Sequence, residues 1–129
     1  MSKAPIPSPA DSEDVRKSNA NGKGELPPAE VARAAELTSY QEGSVVSRAL
    51  IRRDKGNITL FAFDEGQELS EHTAPFDALV HVLEGRAEIA IAGELYHLGA
   101  GDVILLPANR PHAVRADSRF KMLLIMLRS

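Results

Sequence analysis

Between Gly43 and Leu127 apolar and polar residues alternate over short stretches set off by turn formers. Ser44 to Arg52 carries Val45, Val46, Leu50 and Ile51, and Asn57 to Asp64 contains Ile-Thr-Leu-Phe-Ala-Phe. Residues Ala78 to Glu84, Ala87 to Ala92, Glu94 to Leu98, Val103 to Leu106, Ala113 to Arg115 and Phe120 to Leu127 follow in the same style. β-Branched and aromatic residues at this period predict strands. The separators include Asp54-Lys55-Gly56, Asp64-Glu65-Gly66, Glu84-Gly85, Gly93, Gly99-Ala100-Gly101 and Asp117-Ser118. Short strands at such spacing, with no amphipathic helices between them, predict an all-β sandwich or closed barrel. The strands around Gly93 predict a tight hairpin, with glycine supplying a positive φ.

The pattern changes ahead of Gly43. Pro27-Pro28 opens Ala29 to Leu37, a short helix-forming stretch with an apolar edge of Val31, Ala34, Ala35 and Leu37. It predicts a helical turn against the barrel. Residues 1–28 are polar and Pro-rich, with Ile6, Val15 and Leu26 as their large aliphatic residues. So little apolar surface does not offset the entropy of ordering, which predicts a disordered tail at 1–28 and one domain at 29–129.

Composition narrows the chemistry. A chain of 129 residues and 13.9 kDa supports one core. With no cysteine, thiolate metal sites, disulfides and cysteine nucleophiles are excluded. This matches a reducing cytoplasm, and no apolar signal region or membrane-length run is present to suggest another location. The net charge of -3, 5% aromatic content and absence of Trp argue against nucleic acid as a partner. The basic cluster Arg48, Arg52, Arg53 and Lys55 is expected at a solvated strand end and turn.

The glycine and histidine spacings go further. Gly66 is followed after five residues by His72, with Ala74 two positions on, then Ala78 after three more residues and Gly85 after six more. Gly101 is followed after five residues by Pro107, and then by Asn109, His112 and Ala116. These two segments, with the phrases around residues 81–93 and 98–114, resemble the paired motifs of the cupin superfamily, in its small single-domain RmlC-like branch. The resemblance covers residues 32 to 128 and implies a double-stranded β-helix, or jelly-roll barrel.

In metal-binding members of that family the ligands are two histidines and a glutamate of the first motif and a histidine of the second. The matching positions here are His72, Ala74, Ala78 and His112. Asn109 replaces the second motif's glycine, which it can do because Asn adopts left-handed angles, and Ala116 replaces its terminal Asn. A catalytic zinc site takes three protein ligands, and a facial iron triad takes two His and a carboxylate. Two imidazoles alone imply either no cofactor or a weakly held divalent ion such as Zn, Fe, Mn or Ni. If the segment is extended, Glu68 and Ser70 share a face with His72, so Glu68 is the candidate third ligand; Glu71 and Asp77 point away.

Alanine at two ligand positions leaves a wider, more apolar pocket with two polar anchors, the profile of a small-molecule site. The expected function is therefore binding of a small, partly apolar molecule by His72, His112 and Glu68, against Ala74 and Ala78. The alternatives are a metal-dependent dioxygenase or isomerase with an atypical ligand set, and a metal-free enzyme using a histidine as general base. The other positions read as structural. His81 is expected on the outside of the barrel and His97 in solvent. Met122 and Met126 are expected as core filler beside Phe120 and Leu124, and Tyr96 in strand packing. Leu79, Leu83, Ile125 and Leu127 on an outer sheet face predict a homodimer, and the cupin resemblance implies that Ser44 to Arg52 pairs across it.

Overall fold

A computed structural model describes residues 24–128. Nine strands form two sheets. They are β1 (Val45–Arg53), β2 (Gly56–Phe63), β3 (Glu68–His72), β4 (Asp77–Glu84), β5 (Ala87–Ile91), β6 (Glu94–Leu98), β7 (Val103–Leu106), β8 (His112–Ala116) and β9 (Phe120–Leu127). The five-stranded sheet has the order β1-β2-β9-β4-β7, and the four-stranded sheet the order β3-β8-β5-β6. Every pairing is antiparallel. The all-β jelly roll expected from the motifs is the observed architecture. The expected strands all form, and β3 is added to them.

The main core lies between the sheets. It contains Phe63, Val80, Val82, Ile89, Val114, Phe120 and Met122. Phe63 and Phe120 face each other across the β2–β9 pair and stack with centroids 4.5 Å apart. Met122, Leu124 and Met126 follow Phe120 on the same inner face of β9, so the methionines are packing residues as expected.

Residues ahead of β1 lie over the outer face of the five-stranded sheet. Leu26 and Leu37 pack there with Leu50, Leu60, Leu83 and Leu123 in a second, smaller core. Polar contacts hold this cover in place. Arg48 donates to the carbonyls of Gly24 at 2.7 Å and Leu37 at 3.0 Å. Lys121 donates to the carbonyl of Ala35, and Tyr40 donates its hydroxyl proton to Glu84. The Tyr40 ring also lies under the cations of Arg119 and Lys121, at 5.2 and 4.8 Å.

Two expectations are corrected here. The helical turn of Ala29 to Leu37 is only a 3₁₀ turn at Ala34–Glu36, and Val31 is exposed. The stretch is held by contacts to β4 and β9, not by its own helix. The expected tail boundary at Pro28 is also too late. Gly24 and Leu26 already contact β1, where the Leu26 amide donates to the Leu50 carbonyl at 3.0 Å. The rest of that expectation, residues 1–23, lies outside the described residues.

Candidate functional site

The site is assembled where β3 and β8 pair. On β8 His112, Val114 and Ala116 are buried, while Arg115 is exposed. On β3 Leu69 lies opposite Val114 and packs on the core. An even ladder from that pair would set Glu71 opposite His112. Instead the register shifts between Leu69 and His72, so that His72 lies opposite His112. Three steps along β3 answer two along β8, which is a β-bulge. The extra residue inverts the alternation and brings His72 onto the same face as Leu69.

The two imidazoles meet. Their Nε2 atoms are 3.2 Å apart and the rings are edge-on, with centroids 4.4 Å apart. His72 Nδ1 contacts the Ser70 carbonyl at 3.0 Å, and His112 Nδ1 contacts the Arg110 carbonyl at 3.4 Å. A carbonyl only accepts, so these contacts favour the tautomer protonated on Nδ1 in both rings. His112 is buried while His72 is exposed at the mouth. Burial, and then the neighbouring His72, hold His112 below its ordinary pKa, and the Arg110 carbonyl offsets part of this.

The same bulge corrects the expectation for Glu68. That residue lies opposite exposed Arg115, which lies in turn opposite Glu88 of β5. It therefore belongs to the outer face of the four-stranded sheet and does not share a face with His72. Ala78 is buried on the inner face of β4, between Leu106 and Met126 in the ladder. Ala74 sits in the loop before β4, where its carbonyl accepts from the Asn109 amide at 2.7 Å. Asn109 has a φ of 64°, the left-handed conformation expected of it in a glycine's place.

Asp77 points away from the interior as expected but has a role that sequence reasoning missed. Its carboxylate accepts from the Ala108 amide at 2.8 Å. With the Ala74–Asn109 bond, it fastens the loop that carries Arg110 and leads into His112. The carbonyls of Ser70 and Arg110 were likewise invisible in the sequence, because any residue type supplies one. Of the other histidines, His97 is exposed beside Glu88 and Asp117, and His81 lies on the outer face of the five-stranded sheet between Val103 and Leu123.

The donor set does not fit a resident divalent metal. His72 and His112 supply two nitrogens, Ala74 and Ala78 have no side-chain donor, and Glu68 faces the other way. Among the described residues no group of three or more His, Cys, Asp or Glu side chains is placed to hold an ion. Such sites take three or more protein ligands, whereas two imidazoles leave an ion largely hydrated.

Comparison with known proteins agrees with this architecture. The family model of the cupin domain matches residues 59–127. The chain is 31% identical over 99 residues to an uncharacterized protein of Aquifex aeolicus, covering 75% of this chain and 82% of that one. A conserved protein of unknown function from Streptococcus pyogenes, SPY1581, superposes with a TM-score of 0.77 at 36% identity, over 81% of this chain and 91% of that one. A cupin superfamily protein from Desulfitobacterium hafniense gives 0.74 at 34% identity, over 83% and 97%. The chain belongs to the cupin family. Among its described residues no helix is long and apolar enough to cross a membrane.

Proposed function

We propose that this cupin barrel binds a small, partly apolar molecule at its open end, with His72 and His112 as the polar anchors. The observation that carries this reading is the convergence of two Nε2 atoms 3.2 Å apart, each on a ring whose Nδ1 is engaged by a carbonyl. In that tautomer both Nε2 atoms are acceptors. Two such acceptors repel, so at 3.2 Å either one ring carries its proton on Nε2 and donates to the other, or an N–H or O–H group of a ligand donates to the pair; the second is the ligand-bound state. The inner-face residues toward this end, Ile104, Leu124 and Met126, are only half-buried, so an apolar ligand body has surface to cover. A single divalent ion is bound weakly at best, which disfavours a metal-dependent dioxygenase or isomerase.

Phenol is a suitable probe, since it joins a hydroxyl donor to an apolar body. Titration of untagged protein, followed by the histidine ring NMR signals, should move His72 and His112 and leave His97 in place. His112→Ala should weaken phenol binding by about tenfold or more, the value of one well-made buried hydrogen bond. Unmoved ring signals, or equal binding by the variant, would overturn the proposal. In parallel, zinc and iron titrations should give no metal that survives dialysis. Stoichiometric retained metal would favour the metal-dependent alternative.

A further inference from the structure

We propose that Asn57 is a third polar anchor of the pocket, and that the ligand therefore carries a hydrogen-bond donor at each end of its apolar body, as a small dihydroxyaromatic does. This deepens the binding reading above and rests on it. The placement follows from β2. Its register against β9 runs without a break from Phe63 opposite Phe120, through Phe61 opposite Met122 and Thr59 opposite Leu124, to Asn57 opposite Met126. Residues two apart on a strand share a face. Asn57 therefore stands on the same inner face as the buried Phe63 ring, at the open end of the strand. Met126 in turn lies opposite Ala78 on β4, and Ala78 opposite Leu106 on β7. Asn57 thus belongs to the inner row that holds Ala78, two strand spacings or about 10 Å away. The sheet that carries His72 and His112 faces this row across the core.

The Asn57 side chain is unsatisfied there. Its Oδ1 is sealed from water and has no hydrogen-bond partner among the described residues. A buried acceptor left in this way carries the full cost of its lost hydration. Such a group in a native fold calls for an occupant that pairs with it. The surroundings do not supply one. Met126 and Ala78 along the row have no donor side chain, and β2 lies between β1 and β9, so the backbone amides around Asn57 are engaged in two ladders. A hydroxyl or N–H of a ligand supplies the bond, whereas a carboxylate or ether at that place would set lone pair against lone pair. Turning the amide over would aim its NH2 inward and favour an acceptor instead. With the histidine pair accepting at one end and Asn57 at the other, the ligand class narrows from one donor to two. The apolar atoms between them lie over half-buried Leu124 and Met126.

Three probes of similar size make the test: phenol with one donor, hydroquinone with a second donor opposite the first, and 4-methoxyphenol with an ether acceptor in its place. Wild type is titrated under nitrogen and followed by the ring NMR signals of His72 and His112. It should bind hydroquinone about fivefold or more tightly than phenol, the value of one hydrogen bond and above the statistical gain of about twofold from two equal hydroxyls. 4-Methoxyphenol should bind no tighter than phenol. Asn57→Ala should abolish the difference, binding hydroquinone and phenol within that statistical gain. Should Asn57→Ala not fold, Asn57→Leu, near in size and without an acceptor, makes the same test. No hydroquinone gain in wild type, or a gain that survives in the variant, overturns the inference, while phenol binding leaves the histidine site standing. A gain for 4-methoxyphenol would turn the amide N–H inward and overturn it as well. No binding of any probe to wild type would instead overturn the binding reading itself, and this inference with it.

Discussion

The two ends of the barrel are built on the same strands and differ in what those strands point inward. At one end Phe63 and Phe120 are fully buried and stacked, with Val82 and Ala87 beside them in the core. Along β9 burial then falls, from Phe120 and Met122 to half-buried Leu124 and Met126. The same inner phase ends in Ala78 on β4 and His112 on β8. The backbone differs as well. At the closed end the chain passes so near β9 that a Cβ on Gly85 would overlap the Arg119 carbonyl oxygen. At the open end two residues with side chains, Ala92 and Asn109, hold left-handed angles of 49° and 64°. Close packing and bulky rings stabilise one end. Small side chains, a bulge and left-handed backbone at two residues mark the other, the end at which ligand binding is proposed.

The largest effects should come from the closed end. Phe120→Ala should cost about 4 kcal/mol in urea unfolding, the transfer and cavity cost of a fully buried ring. Gly85→Ala should cost about 3 kcal/mol, since it combines a positive φ with a backbone overlap that only a strand shift relieves. A loss below about 1 kcal/mol in either would mean that the closed end is looser than its burial implies.

The open end should respond less in stability and more in chemistry. Ala92→Asn should raise stability by up to about 1 kcal/mol, because Asn tolerates the left-handed angle of this turn better than Ala. Destabilisation would show that the turn carries no such strain. His112→Ala should change stability at pH 7 by no more than about 1 kcal/mol, because the packing lost is offset by removing a desolvated imidazole from a buried position. It should nevertheless alter the pH profile. The folded-state pKa of His112 lies below its ordinary 6.5, so between the two values the unfolded chain binds more protons. This contribution is fully present above 6.5 and is lost as pH falls from there through the folded-state pKa. Urea midpoints from pH 8 to pH 5 should thus fall more steeply in wild type than in the variant, and parallel profiles would refute the assignment. The smallest effect is reserved for Glu68→Ala. As an exposed outer-face partner of Arg115 it should cost at most about 0.5 kcal/mol and leave phenol binding unchanged. Weakened binding would put Glu68 back in the pocket.

Much of this was legible in the residues alone. Turn formers at regular spacing marked all strands but one. The motif spacing placed His72 and His112 at paired positions and Ala74 and Ala78 where donors would otherwise stand. Period-two alternation assigned His81 and Asp77 to the outside and Met122 and Met126 to the inside, because that period is a local property of an extended chain. The tertiary structure alone decided what depends on pairing partners. The bulge opposite β8 turns His72 inward and Glu68 outward, and no count along β3 can reveal it, since the extra residue is defined only against the neighbouring strand. Contacts to β1, β4 and β9, not helix propensity, order residues 24–40. They also bury part of the apolar outer face, which is set by where the chain lies in space and not by the identity of the residues beneath it.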